Sequence, residues 1–216
     1  RKKKALGLYS HENLHFLSID VTKEEDHKKF YKKAKTLSSN FVCAIHSAGF
    51  SSWKPINEVN EKFWNKMIDT NLKGTFLGCK LSSSYIKAGG SIINISSLAG
   101  KRGSENNSVY CASKFGVNGL TQSLAKELGK NNIRVNAVCP VYINTTGLNK
   151  ALVNSQSPTK GENINKFLED FSYTNAALGK LPTGEDVAKL CYFLATSDSD
   201  SITGQCINID CGVMPQ

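Results

Sequence analysis

Tyr110-Cys-Ala-Ser-Lys114 sets a phenol and an ammonium four residues apart, one turn from each other on one helix face. A free phenol titrates near ~10 and transfers protons poorly at neutral pH unless a nearby cation favours its phenolate. Lys114 stands where that cation would be needed, so the pair suits acid–base work on an oxygen atom. Thirteen residues upstream of the tyrosine, Ser97 closes the run Ser91-Ile-Ile-Asn-Ile-Ser-Ser97, an apolar strand ending in hydroxyls. A strand tip and a helix start meet at one edge of a parallel sheet, which sets a hydrogen-bond donor opposite the phenol. Each residue also has a plainer reading: a surface tyrosine–lysine pair and a serine capping a strand end. Their order and spacing favour a joint site.

The rest of the chain reads as the strands and helices such a site needs. Residues 15–21 make a short strand with Phe16, Leu17, Ile19 and Val21 apolar, and Thr22 caps a helix over 23–37. Phe41 to His46 is a buried strand broken by Ser47-Ala-Gly-Phe50, where glycine lets the backbone turn sharply. A long helix is expected from about 60 to 88, carrying Asn71 and stopped by Gly89-Gly90. Next come the strand ending at Ser97, a polar loop over 100–107, a helix over 108–128 and a strand over 135–139. The stretch to Pro182 is polar in its middle and helical around Phe167, Leu168 and Phe171. A helix beginning at Gly184-Glu-Asp and a strand over 205–209 complete the pattern. Strands alternating with amphipathic helices imply a parallel sheet covered on both faces, with ligands bound beyond the carboxyl ends of the strands.

Composition narrows the function further. At 216 residues, 40% apolar and 21% charged, the chain is an ordinary single globular domain. No apolar run approaches the roughly 20 residues needed to span a bilayer, and Arg1-Lys-Lys-Lys lacks the apolar stretch of a signal peptide. A cytoplasmic protein with no membrane association is expected. Seven scattered cysteines, with no Cys-x-x-Cys pair, read as reduced thiols and not as a metal site. The net charge of +9 comes largely from lysine, with only three arginines and 20 asparagines. That is a Lys- and Asn-rich bias over solvated faces, and nucleic acid is not an expected partner.

The ordered set Asp20-Val21, Ser47-Ala48-Gly49, Asn71, Ser97, Tyr110, Lys114, Pro140 to Thr145 and Thr203-Gly204-Gln205 resembles the short-chain dehydrogenase/reductase family. The likeness runs from Leu14 to Gly212. It implies an α/β, three-layer Rossmann-like fold and a small-molecule alcohol or ketone substrate, with NAD or NADP as cofactor. By resemblance, Tyr110 is the general acid/base, and Lys114 lowers its pKa and holds the nicotinamide ribose. Ser97 bonds the substrate oxygen, and Asn71 keeps a water near the lysine; the plainer reading of Asn71 is a helix asparagine satisfied locally. Asp20 and Val21 match the pair at the adenine ring, and Ser47, Ala48 and Gly49 the turn beside the cofactor. Pro140, Ile143 and Thr145 match the segment that grips the nicotinamide carboxamide. Val141 stands where the family usually has glycine, and Cys211 interrupts its Asp-Gly-Gly.

The family opens with a strand, a Gly-rich phosphate turn, a helix and a second strand, and no glycine cluster of that kind occurs here. Arg1 to Leu6 resembles the polar segment that follows the second strand. The chain is therefore expected to be one Rossmann-like domain over 1–216, N-terminally truncated, with the two missing strands belonging between Phe16 and Phe41. A substrate lid is expected over 146–182, and Lys101 and Arg102 are placed to receive an anion. The stretches near Gly103 and Ser197 lean towards polyol, sugar-derived or diol substrates. The alternatives are reduction of a 3-oxoacyl thioester on acyl carrier protein, and an inactive fragment serving only as an oligomerisation subunit. The resemblance also implies a homodimer or homotetramer.

Overall fold

The computed structural model describes residues 13–215. The reading of Arg1 to Leu6 lies outside them. The first helix, α1 (Glu24–Leu37), begins with Glu24, Glu25 and Asp26 and carries Lys35 in its last turn, charges that complement the helix dipole. Thr22 does not cap it: the N-cap is Lys23, and the Thr22 hydroxyl donates to Asp20 Oδ1 at 2.8 Å. Residues 14–20 form no strand, despite their apolar alternation. A strand exists only through its ladder, and none of the described residues pairs with them.

The described residues form one parallel sheet, of β1 (Phe41–His46), β2 (Ile86–Ile95), β3 (Arg134–Pro140) and β4 (Cys206–Ile209), in that spatial order. β3 is buried along its whole length, as a central parallel strand must be. One face packs Ile92 and Val135 against Cys79 and against Ala125 of helix α4 (Ser108–Gly129). The other packs Ile93 and Val138 against Cys191 and Leu194 of helix α7 (Gly184–Ala195). The result is the three-layer architecture the alternation predicts.

The expected helix over 60–88 is three pieces that end early. Helix α2 (Glu61–Ile68) passes through a π-helical turn, Asp69–Lys73, into α3 (Gly74–Ser82). Gly89 and Gly90 lie inside β2 and terminate nothing. Their task is a bulge: the register against β1 shifts between Phe41 and Cys43, and Gly89 takes φ +86°. A Cβ on Gly90 would sit 2.9 Å from the Val42 carbonyl oxygen. Periodicity does not separate a glycine that stops a helix from one that lets two strands approach.

The 146–182 segment is largely folded. Helices α5 (Thr146–Leu152) and α6 (Ile164–Asn175) bury Ala151, Leu152 and Leu168 against Trp53. Between them Ser157 and Thr159 donate to the Leu152 carbonyl at 2.7 and 2.6 Å, so the polar run closes helix α5. All seven cysteines are free thiols, four of them buried. No helix among the described residues is long and apolar enough to cross a membrane.

Candidate active site

Beyond the carboxyl ends of β1, β2 and β3 lies a cavity of about 430 Å³. Ser97 reaches its wall just past β2, as N-cap of a short 3-10 turn, Leu98–Gly100, whose Ala99 N–H bonds its hydroxyl at 3.2 Å. Tyr110 and Lys114 come from the first turns of α4 and line the same cavity as Ser97. Ser97 also donates to the Pro140 carbonyl at 3.5 Å, which ties the tip of β2 to the end of β3.

Lys114 is buried, and its Nζ donates to the Ile95 carbonyl at 2.9 Å. It lies 5.8 Å from the centroid of the Tyr110 ring. Burial pulls this ammonium down to about 8. Burial pushes the Tyr110 phenol up to about 12, with the nearby Ser97 hydroxyl acting in the opposite direction. The acidified phenol expected from the spacing is therefore not what the geometry gives. Desolvation dominates both groups, and the lysine's bond is spent on a backbone carbonyl. At neutral pH the site holds a protonated phenol beside a charged amine, a proton donor with a cation in place for the phenolate it would leave.

Asn71 sits in the π turn, fully buried, and does not line the cavity. Its Oδ1 accepts from the Phe50 N–H at 3.0 Å, and its Nδ2 donates to the Phe50 carbonyl at 2.9 Å and to Ser113 Oγ at 3.2 Å. It clamps the loop after β1 onto α4. A π turn re-aims one side chain without breaking the helix, and here it aims this amide. Gly49 in that loop needs to lack a side chain, because a Cβ would stand 3.1 Å from Asn71 Oδ1 and 3.6 Å from Lys114 Nζ.

Ser47, Gly49, Pro140, Ile143 and Thr145 line the same cavity. The Thr145 hydroxyl caps α5, accepting from the Leu148 N–H at 3.2 Å. Val141 stays out of the positive-φ region, whereas Cys211 adopts it at φ +54° beside Gly212 at +84°. The glycine pattern is thus relaxed without strain at the first position and with strain at the second. Asp20, Val21 and Ala48 are not brought to this cavity. The Asp20 carboxylate accepts from the Thr22 N–H and hydroxyl, as a turn former does, and those bonds hold it below the usual carboxylate range. Val21 and Ala48 border a second groove of about 400 Å³ between α1 and the outer edge of β1.

Of the two basic loop residues, exposed Arg102 lines the cavity and Lys101 does not. Spacing gave no signal for Trp53, Asn107 and Tyr142, which also line it. Tyr142 anchors an aromatic cluster with Phe167 and Phe171, at centroid separations of 5.8 and 5.0 Å, and so joins α6 to the site.

A family model described as enoyl-(acyl carrier protein) reductase matches residues 2–214. The chain belongs to the short-chain dehydrogenase/reductase family. It is 32% identical over 200 residues to a 3-oxoacyl-[acyl-carrier-protein] reductase of Chlamydia muridarum, covering 92% of this chain and 75% of that relative. It is also 32% identical over 197 residues to a diacetyl reductase ((S)-acetoin forming) of Staphylococcus aureus, covering 90% of this chain and 76% of the relative. Among solved structures, the ligand-free aldohexose dehydrogenase of Thermoplasma acidophilum superposes with a TM-score of 0.83 at 29% identity, over 91% of this chain and 77% of that one. Members of the short-chain dehydrogenase/reductase family are oxidoreductases that use NAD or NADP, and this chain is one of them.

Proposed function

We propose that this oxidoreductase interconverts a secondary alcohol and a ketone, with Tyr110 as the group that gives and takes the proton. One observation carries the reading: the Ser97 hydroxyl, the Tyr110 phenol and the buried ammonium of Lys114 line one cavity. In reduction the substrate carbonyl accepts from Ser97 and Tyr110, and the phenol releases its proton as negative charge builds on that oxygen. Lys114 then lies close enough to favour the phenolate. When bound, the nicotinamide cofactor supplies the hydride, or takes it in oxidation. Lys114, Ile143, Thr145 and the loop Ser47 to Gly49 would hold its nicotinamide half. The bare approach of Gly49 to Lys114 fits a ring and ribose laid against that loop.

Among the described residues β1 is an edge strand, beside a groove lined by Val21, Phe30, Phe41 and Ile45. A βαβ segment there, carrying the phosphate turn, would complete the cofactor site and bring Asp20 and Val21 towards the adenine. The substrate we favour is a small polyol, sugar-derived alcohol or diol. The likeness to an aldohexose dehydrogenase and a diacetyl reductase supports this class. A second reading, reduction of a 3-oxoacyl thioester, is supported by the reductase relative and by the +9 charge, which would attract an acidic carrier protein. Turnover of a polyol and hydroxyketone panel against acetoacetyl thioesters separates the two. We place the protein in the cytoplasm, as a homodimer or homotetramer built through α2–α3 and α4. Turnover of neither substrate class by a chain extended with the βαβ segment would favour a purely structural subunit.

A further inference from the structure

The cavity that holds Tyr110 is lined by two cationic residues, Lys114 and Arg102, and among the described residues by no aspartate or glutamate. Lys114 is buried and bonded to the Ile95 carbonyl, so its charge is committed beside the phenol. Arg102 is exposed and takes part in none of the ion pairs among the described residues. Its backbone is nonetheless held. The Arg102 N–H donates to the Leu98 carbonyl at 3.1 Å, and the Cys111 thiol, in the first turn of α4, donates to the Arg102 carbonyl at 3.9 Å. Further along the same loop, Asn107 Nδ2 donates to Ser104 Oγ at 3.2 Å, and both residues line the cavity. The guanidinium is felt at another part of the wall. Burial raises the Tyr142 phenol above its ordinary range, and the Arg102 charge draws it back. The loop after β2 therefore brings a cation, and the segment after β3 an aromatic wall, to the cavity of the proton donor.

A guanidinium keeps its charge at every working pH and presents a planar fork of donors that matches the two oxygens of a carboxylate or phosphate. A neutral hydroxyl or carbonyl answers one of those donors and none of the charge. A cavity lined by cations and no carboxylate also attracts anions before contact. We propose that Arg102 is a specificity-determining residue that takes the carboxylate or phosphate of the substrate, so the enzyme acts on small oxoacids or phosphorylated hydroxyketones and the corresponding alcohols. Arg102 and Tyr110 line one cavity of about 430 Å³, so the anion and the reacting carbonyl belong to one compact molecule. A phosphopantetheine arm sets its phosphate many bonds from the thioester carbonyl and fits that span poorly. The proposal deepens the Tyr110 reading and rests on it only for the place of the reacting oxygen.

The test is ligand-observed NMR titration at pH 7 with two matched pairs of ketones, each differing in charge. One pair is 4-oxopentanoate and 4-oxopentanamide; the other is 2-oxobutyl phosphate and 1-hydroxybutan-2-one. The anion of at least one pair is expected to bind about tenfold or more tightly than its neutral partner, and the pair with the larger ratio tells carboxylate from phosphate. Arg102→Gln should abolish that advantage, and Arg102→Lys, which keeps the charge without the fork, should retain part of it. Raising the salt from about 0.1 to about 1 M, which shortens the screening length from ~10 to ~3 Å, should shrink the advantage in wild type. Equal affinities within both pairs, no binding of either anion, or an advantage untouched by Arg102→Gln would overturn the proposal. So would an equal loss of affinity for NADH or NADPH in Arg102→Gln, which would assign the guanidinium to the cofactor. An anion advantage without turnover would count against Tyr110 and leave this site standing. Turnover of charged and neutral ketones at equal kcat/KM, with equal affinities, would do the reverse.

Discussion

Replacing Lys114 by methionine should make the protein more stable at pH 7 while removing its activity. The ammonium is held at about 8 in the fold against an ordinary 10.5, because burial disfavours its charge. That drop corresponds to roughly 3 kcal/mol of penalty for keeping the group protonated at pH 7. Methionine fills nearly the same volume without a charge, but it leaves the Ile95 carbonyl without its donor, a loss of about 1 kcal/mol. The net expectation is a gain of about 2 kcal/mol, or a rise in Tm of about 4–8 °C for a chain of this size. The sign with pH is definite, since the unfolded chain binds the proton more tightly than the fold does. The lysine's penalty is complete below about pH 8, shrinks as pH rises from there and is gone above about 10.5. Urea unfolding of both proteins at pH 7 and pH 10 checks this. A variant less stable at pH 7, or a difference that does not change with pH, would refute the placement of a desolvated ammonium at this site.

Asn71→Ala removes both bonds to the Phe50 backbone and should cost about 2–3 kcal/mol in urea unfolding. It should also lower kcat more than it raises KM, because the loop carrying Gly49 loses its anchor. Arg134→Met should lower Tm by about 6–12 °C, from a loss of about 3 kcal/mol followed by scanning calorimetry. This buried guanidinium donates to the Leu194 and Thr196 carbonyls and to Ser199 Oγ at 2.8, 3.0 and 2.7 Å, pinning β3 to the C-terminal end of α7. Ketone reduction, measured as kcat/KM against pH, should hold level through neutrality. It should then fall above about pH 8 as Lys114 loses its proton.

The sheet was legible because each core strand keeps an apolar run bounded by polar or glycine residues, and the helices between them keep their period. Glycines misled where their role is long-range: Gly89 and Gly90 serve a bulge against β1, which no local pattern reveals. The 15–21 strand was read from its alternation, but alternation supplies no ladder partner, and the described fold pairs it with nothing. Spacing brought Ser97, Tyr110 and Lys114 into view because helix pitch and strand ends fix their relative positions. It could not give the sense of their pKa shifts, which depend on burial and on the Ile95 carbonyl that engages Lys114. Trp53 and Asn107 escaped for a similar reason. They reach the cavity because two loops distant in the chain are joined there, the Lys54 N–H donating to the Asn106 carbonyl at 2.6 Å, which no local spacing reveals.

Single-turnover reduction of 1-hydroxybutan-2-one by wild type and Tyr110→Phe, compared across neutral pH, addresses the proton donor directly. Loss of the phenolic proton should slow reduction by about 10²–10⁴-fold while the fold persists. A phenylalanine variant that reduces the ketone within a few-fold of wild type would contradict the assignment of Tyr110.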